Sequence, residues 1–193
     1  MRSLIYTAFV SLDGVVDSPG GGTEIENHRS GGWTYQDLEF VEEAYEIKGR
    51  EQEEATAMML GRVSYQSFAP VWPEMAEFAR YNAMPKYVVS TTLTDADLVD
   101  NWGDTTILRS LDEVAELKEG DGGPIIVHGS ATLARNLSDA GLIDRYHLLV
   151  FPLLLGAGKR MFSETDKPKQ MLRLLESDSY RNGLQKLVYE VVR

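Results

Sequence analysis

The chain of 193 residues contains no cysteine. That excludes disulfides, thiolate metal sites and a cysteine nucleophile. It also fits a cytoplasmic protein. No apolar run approaches the ~20 residues that cross a bilayer. The start, Met1-Arg2-Ser3-Leu4-Ile5-Tyr6, turns polar too soon for a secretory signal, and none is expected. Positive charge is scarce: 19 Lys and Arg stand against 30 Asp and Glu, a formal charge of −11. So acidic a chain is a poor partner for a nucleic acid backbone or an anionic membrane. Repeats, low-complexity tracts and linkers are absent, which predicts one domain over residues 1–193.

What is present is an ordinary globular composition, 43% hydrophobic and 25% charged. Leu4 to Val10 reads as a first strand, turned by Ser11-Leu12-Asp13-Gly14. A loop with Pro19-Gly20-Gly21-Gly22 and Gly31-Gly32 follows. Its spacing fits neither a dinucleotide fingerprint nor a P-loop, so it reads as a mobile lid or substrate-side loop. Leu38, Val41 and Tyr45 predict an amphipathic helix from about Asp37 towards Ala55. The acids of that stretch, Asp37, Glu39, Glu42, Glu43, Glu46, Glu51, Glu53 and Glu54, read as its solvated face.

Ala57–Leu60, Lys86–Ser90, Thr105–Arg109, Ile125–His128 and Tyr146–Phe151 read as strands. Arg62–Phe68, Glu74–Met84, Leu111–Lys118 and Thr132–Ala140 read as helices. Met171–Ser179 and Leu184–Val192 are β-rich and joined through Arg181-Asn182-Gly183, a strong hairpin signal. Alternating β and α units followed by an antiparallel end predict a mixed sheet covered by helices.

Four segments follow strands and carry chemistry. In Ile125-Ile126-Val127-His128-Gly129-Ser130-Ala131-Thr132-Leu133 a strand runs straight into a helix start. There, free N–H groups and the dipole suit an anion, and Gly129 permits close approach. A tight turn that binds nothing is the alternative. Leu60-Gly61-Arg62-Val63-Ser64 and Val89-Ser90-Thr91-Thr92 make two further donor-rich strand ends. Arg62 could pair with a phosphate. Helix and turn capping explains each hydroxyl taken singly. Pro152-Leu153-Leu154-Leu155-Gly156-Ala157-Gly158-Lys159-Arg160 offers two glycines and two cations, or simply a surface turn. His128 reads as a partly buried residue ending its strand.

In their order these motifs, with Gly141-Leu142-Ile143-Asp144 and Met161-Phe162, resemble the dihydrofolate reductase-like superfamily. The chain is most similar to the reductase domain of the riboflavin-pathway deaminase-reductase and its stand-alone relatives. The resemblance implies a three-layer αβα fold with a mixed, mostly parallel sheet and an antiparallel C-terminal hairpin. It implies NADPH as cofactor. Gly61, Arg62, Val63 and Ser64 match a segment holding its phosphates. Ser90, Thr91 and Thr92 match the segment near the 2′-phosphate and adenine. Gly129, Ser130, Ala131 and Thr132 match the pyrophosphate turn, where the family usually has consecutive glycines and this chain has one.

On the substrate side the resemblance points to Asp13, Gly14, Phe151, Gly156 and Gly158. Asp37 or Asp13 is the candidate proton donor, with an N-cap role for Asp37 and an Asx turn for Asp13 as alternatives. No metal is implied. The implied activity is hydride transfer to a C=N or C=O carbon of a small substrate, by a cytoplasmic homodimer. Dihydrofolate reduction proper, or a non-catalytic nucleotide-binding or dimerisation module, are the alternatives.

Overall fold

The structure is a computed structural model and describes residues 1–21, 28–164 and 166–193. Its strands are β1 (Leu4–Ser11), β2 (Ala57–Gly61), β3 (Lys86–Val89), β4 (Thr105–Leu108), β5 (Ile125–His128), β6 (Arg145–Phe151), β7 (Leu172–Ser179) and β8 (Gln185–Val191). Its helices are α1 (Glu42–Glu54), α2 (Arg62–Phe68), α3 (Ala79–Ala83), α4 (Leu111–Glu119) and α5 (Ala131–Asp139). The strands form one eight-stranded sheet in the order β4-β3-β2-β5-β1-β6-β8-β7. The first six are parallel, and β8 and β7 continue the sheet antiparallel.

Helices cover both faces, so the central strands are apolar on both sides, as parallel strands are. Leu4, Tyr6, Ala8 and Val10 of β1 pack with Val114 of α4 and Leu133 and Leu137 of α5. On the opposite face Ile5 joins Met58, Leu60 and Ile126 beneath Tyr65, Trp72 and Tyr81. Beside them Ala44 and Ile47 of α1 cover Leu149, Phe151 and Val188. The three layers and the C-terminal hairpin are those expected. Gly183 takes φ +85° in the hairpin turn, where Tyr180 N–H donates to Leu184 O at 2.9 Å.

Three local expectations fail. Asp37 does not cap α1: residues 36–38 form a bend, and the helix begins at Glu42 after an extended Val41. The hairpin turn holds this stretch, since Asn182 Nδ2 donates to Glu39 O at 2.8 Å and Arg181 pairs with the Glu39 carboxylate. Nor is the whole acidic face of α1 solvated. Glu51 is 3% exposed, continuing the inward stripe of Ala44 and Ile47. The predicted 74–84 helix is broken as well, into 3₁₀ turns at Trp72–Glu74 and Ala76–Phe78 and the short α3.

Of the Gly-rich loop, Gly22 lies outside the described residues. The ends that are described are tied down. Trp33 Nε1 donates to Asp17 O and Thr34 Oγ1 to Pro19 O, each at 2.8 Å. No helix among the described residues is long and apolar enough to cross a membrane.

Candidate functional site

The chain leaves β2 towards β3, through α2 on one face. It leaves β5 towards β6, through α5 on the other. These neighbouring strands thus send their connections in opposite directions. Ligands of open α/β sheets gather in the crevice at such a switch point, outside the carboxyl ends of the strands.

The two turns touch. Gly61 N–H donates to Ser130 Oγ at 2.9 Å, Ser130 Oγ donates to His128 O at 3.0 Å, and Ser130 N–H donates to Ser64 Oγ at 2.9 Å. Gly129 takes φ +59°, and a Cβ there would stand 3.3 Å from both Ser64 Oγ and a Phe68 ring carbon. No side chain caps the first turn of α5. Ala131 is buried beneath it and Thr132 is exposed on it. Gly61, Arg62, Val63, Ser64, Gly129, Ser130, Ala131 and Thr132 are therefore brought together.

The next strand end adjoins them, because Gly61 pairs with Val89. Ser90 is buried, and its Oγ accepts from the N–H groups of Thr92 (3.2 Å) and Leu93 (2.9 Å), forming a turn that leaves Thr91 and Thr92 exposed. Arg109, just beyond β4, donates through Nη1 to Ser90 O (2.9 Å) and Leu93 O (2.6 Å). Its position after a strand end, like that of Arg62, was the sequence signal for it. Arg62 is exposed and donates to Gln66 Oε1 at 2.8 Å.

On the other side of the crevice, Asp13 clamps the loop after β1 to the loop after β6. Its carboxylate accepts from Ser11 Oγ (2.6 Å), Leu155 N–H (3.1 Å) and Gly156 N–H (2.7 Å). The Ser11 hydroxyl first, then the two amides, overcome the cost of burial and hold its pKa down to about 2. Arg160 closes the clamp, donating to Asp13 O and Gly156 O. Gly14 and Gly156 belong to it with positive φ. At Gly158 a Cβ would come within 2.6 Å of Val15, so this glycine lets the two loops pack.

Phe151 lines no open surface of the crevice. It is fully buried, edge-on to Trp33 (5.1 Å) and Phe9 (5.7 Å). The alternation of β6 turns it inward with Leu149. Asp37 is exposed and lies outside the clamp.

Sequence reasoning missed a polar row across the sheet. Thr7 pairs with His128 on one side and His147 on the other, so all three point to the face covered by α1. Above them Glu51 accepts from Thr7 Oγ1 (2.8 and 3.0 Å), from His147 Nδ1 (3.0 Å) and from Lys48 Nζ (3.3 Å). Burial alone would raise the Glu51 pKa; Lys48, His147 and Thr7 outweigh it and hold the carboxylate below its ordinary value. The spacing Ala44, Ile47, Glu51 was the available signal.

His128 stands edge-on to Trp72 (5.0 Å), Tyr81 (5.7 Å) and Phe68 (5.9 Å). Burial, reinforced by the Lys48 charge and opposed by Glu51, pushes its pKa down to about 4, so the ring is neutral at neutral pH. Its Nδ1 and the Tyr81 hydroxyl are buried without a hydrogen-bond partner among the described residues. A groove of about 410 Å³ lies between α1 and β8, lined by Glu43, Glu46, Arg50 and Lys186.

The same architecture is found in solved structures. A protein assigned to riboflavin biosynthesis from Shewanella sp. PV-4 superposes with a TM-score of 0.77 at 18% identity, over 99% of both chains. A pyrimidine reductase-like protein from Corynebacterium diphtheriae gives 0.59 at 13% identity, over 99% of this chain and 92% of that one. Dihydrofolate reductase from Enterococcus faecalis, complexed with NADP(H) and RAB-propyl, gives 0.58 at 12% identity, over 99% and 97%. These likenesses establish the dihydrofolate reductase-like fold. Among curated proteins, the uncharacterized protein YyaP of Bacillus subtilis is 24% identical over 197 residues, covering 97% of this chain and 94% of YyaP. The RibD C-terminal domain matches residues 2–186, a span that takes in both crevice turns and the Asp13 clamp, and the chain belongs to that reductase-like family.

Proposed function

We propose that the protein is an NADPH-dependent oxidoreductase. It delivers hydride to a C=N or C=O carbon of a small pyrimidine- or pterin-like substrate, in the manner of the riboflavin-pathway reductase. The observation that carries this reading is the meeting of the β2–α2 and β5–α5 turns at the switch point. The enterococcal reductase, of the same fold, is complexed with NADP(H). The Shewanella protein is assigned to riboflavin biosynthesis and the Corynebacterium protein is pyrimidine reductase-like, which supports pyrimidine-type chemistry.

The donors on this rim fit a phosphorylated dinucleotide. The uncapped start of α5 would offer an anion free N–H groups. Arg62, Thr91 and Thr92 are exposed, and Arg109 braces the turn that presents the two threonines. When bound, the nicotinamide supplies the hydride. This chain's residues hold the phosphates, fix the approach and exclude water. The Asp13 carboxylate is taken up by Ser11, Leu155 and Gly156, so its part is to hold the substrate-side loops. The proton for the acceptor then comes from Asp37 or from water.

Trp72 lies against His128, one residue before the turn, and reports on it. NADPH titration followed by tryptophan fluorescence should saturate and raise Tm. No saturable change together with no thermal shift sinks the proposal. Turnover of dihydrofolate, blocked by an antifolate, would reassign the substrate to dihydrofolate itself.

A further inference from the structure

Ser130 has φ +59° and ψ +48°, directly after Gly129, also at φ +59°. Two successive residues are thus left-handed, and only the first is glycine. A side chain in this region is strained and persists only where its surroundings hold it. Three hydrogen bonds hold this one. Ser130 Oγ receives the Gly61 N–H and donates to His128 O, while Ser130 N–H is received by Ser64 Oγ. Two backbone N–H groups at the switch point are therefore spent on serine hydroxyls, in the place where such groups would otherwise receive an anion. A Cβ at Gly61 would lie 3.7 Å from Ser130 Oγ, so the Ser130 side chain, with Ser64, joins the two turns.

We propose that Ser130 is a latch. Its hydroxyl occupies the Gly61 N–H in competition with a pyrophosphate oxygen, and so sets how tightly this chain holds a dinucleotide. The inference rests on the dinucleotide reading above and deepens it. Ser130→Gly frees the Gly61 N–H and suits the left-handed backbone. Ser130→Ala frees the same N–H but keeps the strain. A freed N–H gives a charge-assisted bond where a neutral one stood.

The probes are NADPH and inorganic pyrophosphate, titrated into the folded protein by calorimetry and by the amide shift of Gly61. Both variants should bind each probe about tenfold more tightly than the wild type. Unliganded Ser130→Ala should melt about 3–6 °C lower, as expected for a strained turn that has lost its holding bonds. Equal or weaker binding by both variants, with NADPH still bound by the wild type, overturns the latch and leaves the reductase reading standing. Weaker binding would mean that the hydroxyl contacts the ligand directly. Failure of the wild type and of both folded variants to bind either probe overturns the two together.

Discussion

Glu51 and His147 meet 3.0 Å apart beneath α1, one from the helix and one from β6, with Thr7 of β1 bonded to the same carboxylate. The pair fastens the helix to the middle of the sheet through groups that no water reaches. Glu51→Ala leaves Lys48 and His147 facing an empty buried site, and should cost about 3–5 kcal/mol in urea unfolding. Glu51→Gln keeps the shape and should lose less. The folded Glu51 has a depressed pKa, so its contribution is complete above the ordinary 4.5 and is lost as pH falls through the lower folded value. An acid limb of stability identical in wild type and Glu51→Gln would refute this.

His128 acts in a higher window. Its folded pKa is about 4 against an ordinary 6.5, so the unfolded chain takes up the proton first as pH falls. Stability is therefore full above 6.5 and declines between 6.5 and 4, by up to about 3 kcal/mol. His128→Leu, in the same aromatic surroundings, should flatten that stretch. Urea midpoints measured across it are the check, and a slope unchanged by the substitution counts against a neutral buried ring.

Arg62 is exposed beside the Ser90–Thr92 turn. Arg62→Ala should weaken NADPH binding about tenfold and NADH much less, as loss of one guanidinium–phosphate contact would. Equal loss for both cofactors removes Arg62 from the 2′-phosphate and leaves it a pyrophosphate role.

The Asp13 clamp makes a local claim. Asp13→Ala removes three hydrogen bonds, from Ser11, Leu155 and Gly156. It should cost about 1–3 kcal/mol and speed amide exchange at Leu155 and Gly156 before it affects the sheet. Unaltered exchange there would show that the loops are held by something else.

Much of this was legible before folding. The apolar runs of β1, β5 and β6 announce strands buried on both faces, and Asn182-Gly183 announces its hairpin. The start of α1 was not legible, because residues near Asp37 are held by Arg181 and Asn182, which lie far away in the chain. Glu51 was hidden in a run of acids whose other members do face water. The burial of Phe151 was not legible, because a strand end marks a rim, while the parity of β6 decides which residue faces inward. The β2–α2 and β5–α5 turns were legible as donor-rich strand ends. That their hydroxyls bond one another required the neighbouring strand order.

The place of β1 at the centre of the sheet constrains how the chain can be made. Leu4 pairs with Ile125 and Ile5 with Arg145, so during synthesis β1 lacks both partners until more than a hundred further residues have followed. Contacts so distant in sequence slow folding and prolong exposure of apolar strand edges. Synthesis halted before Phe151 therefore leaves one edge of β1 unpaired, an exposed apolar strand edge of the kind that associates with other chains.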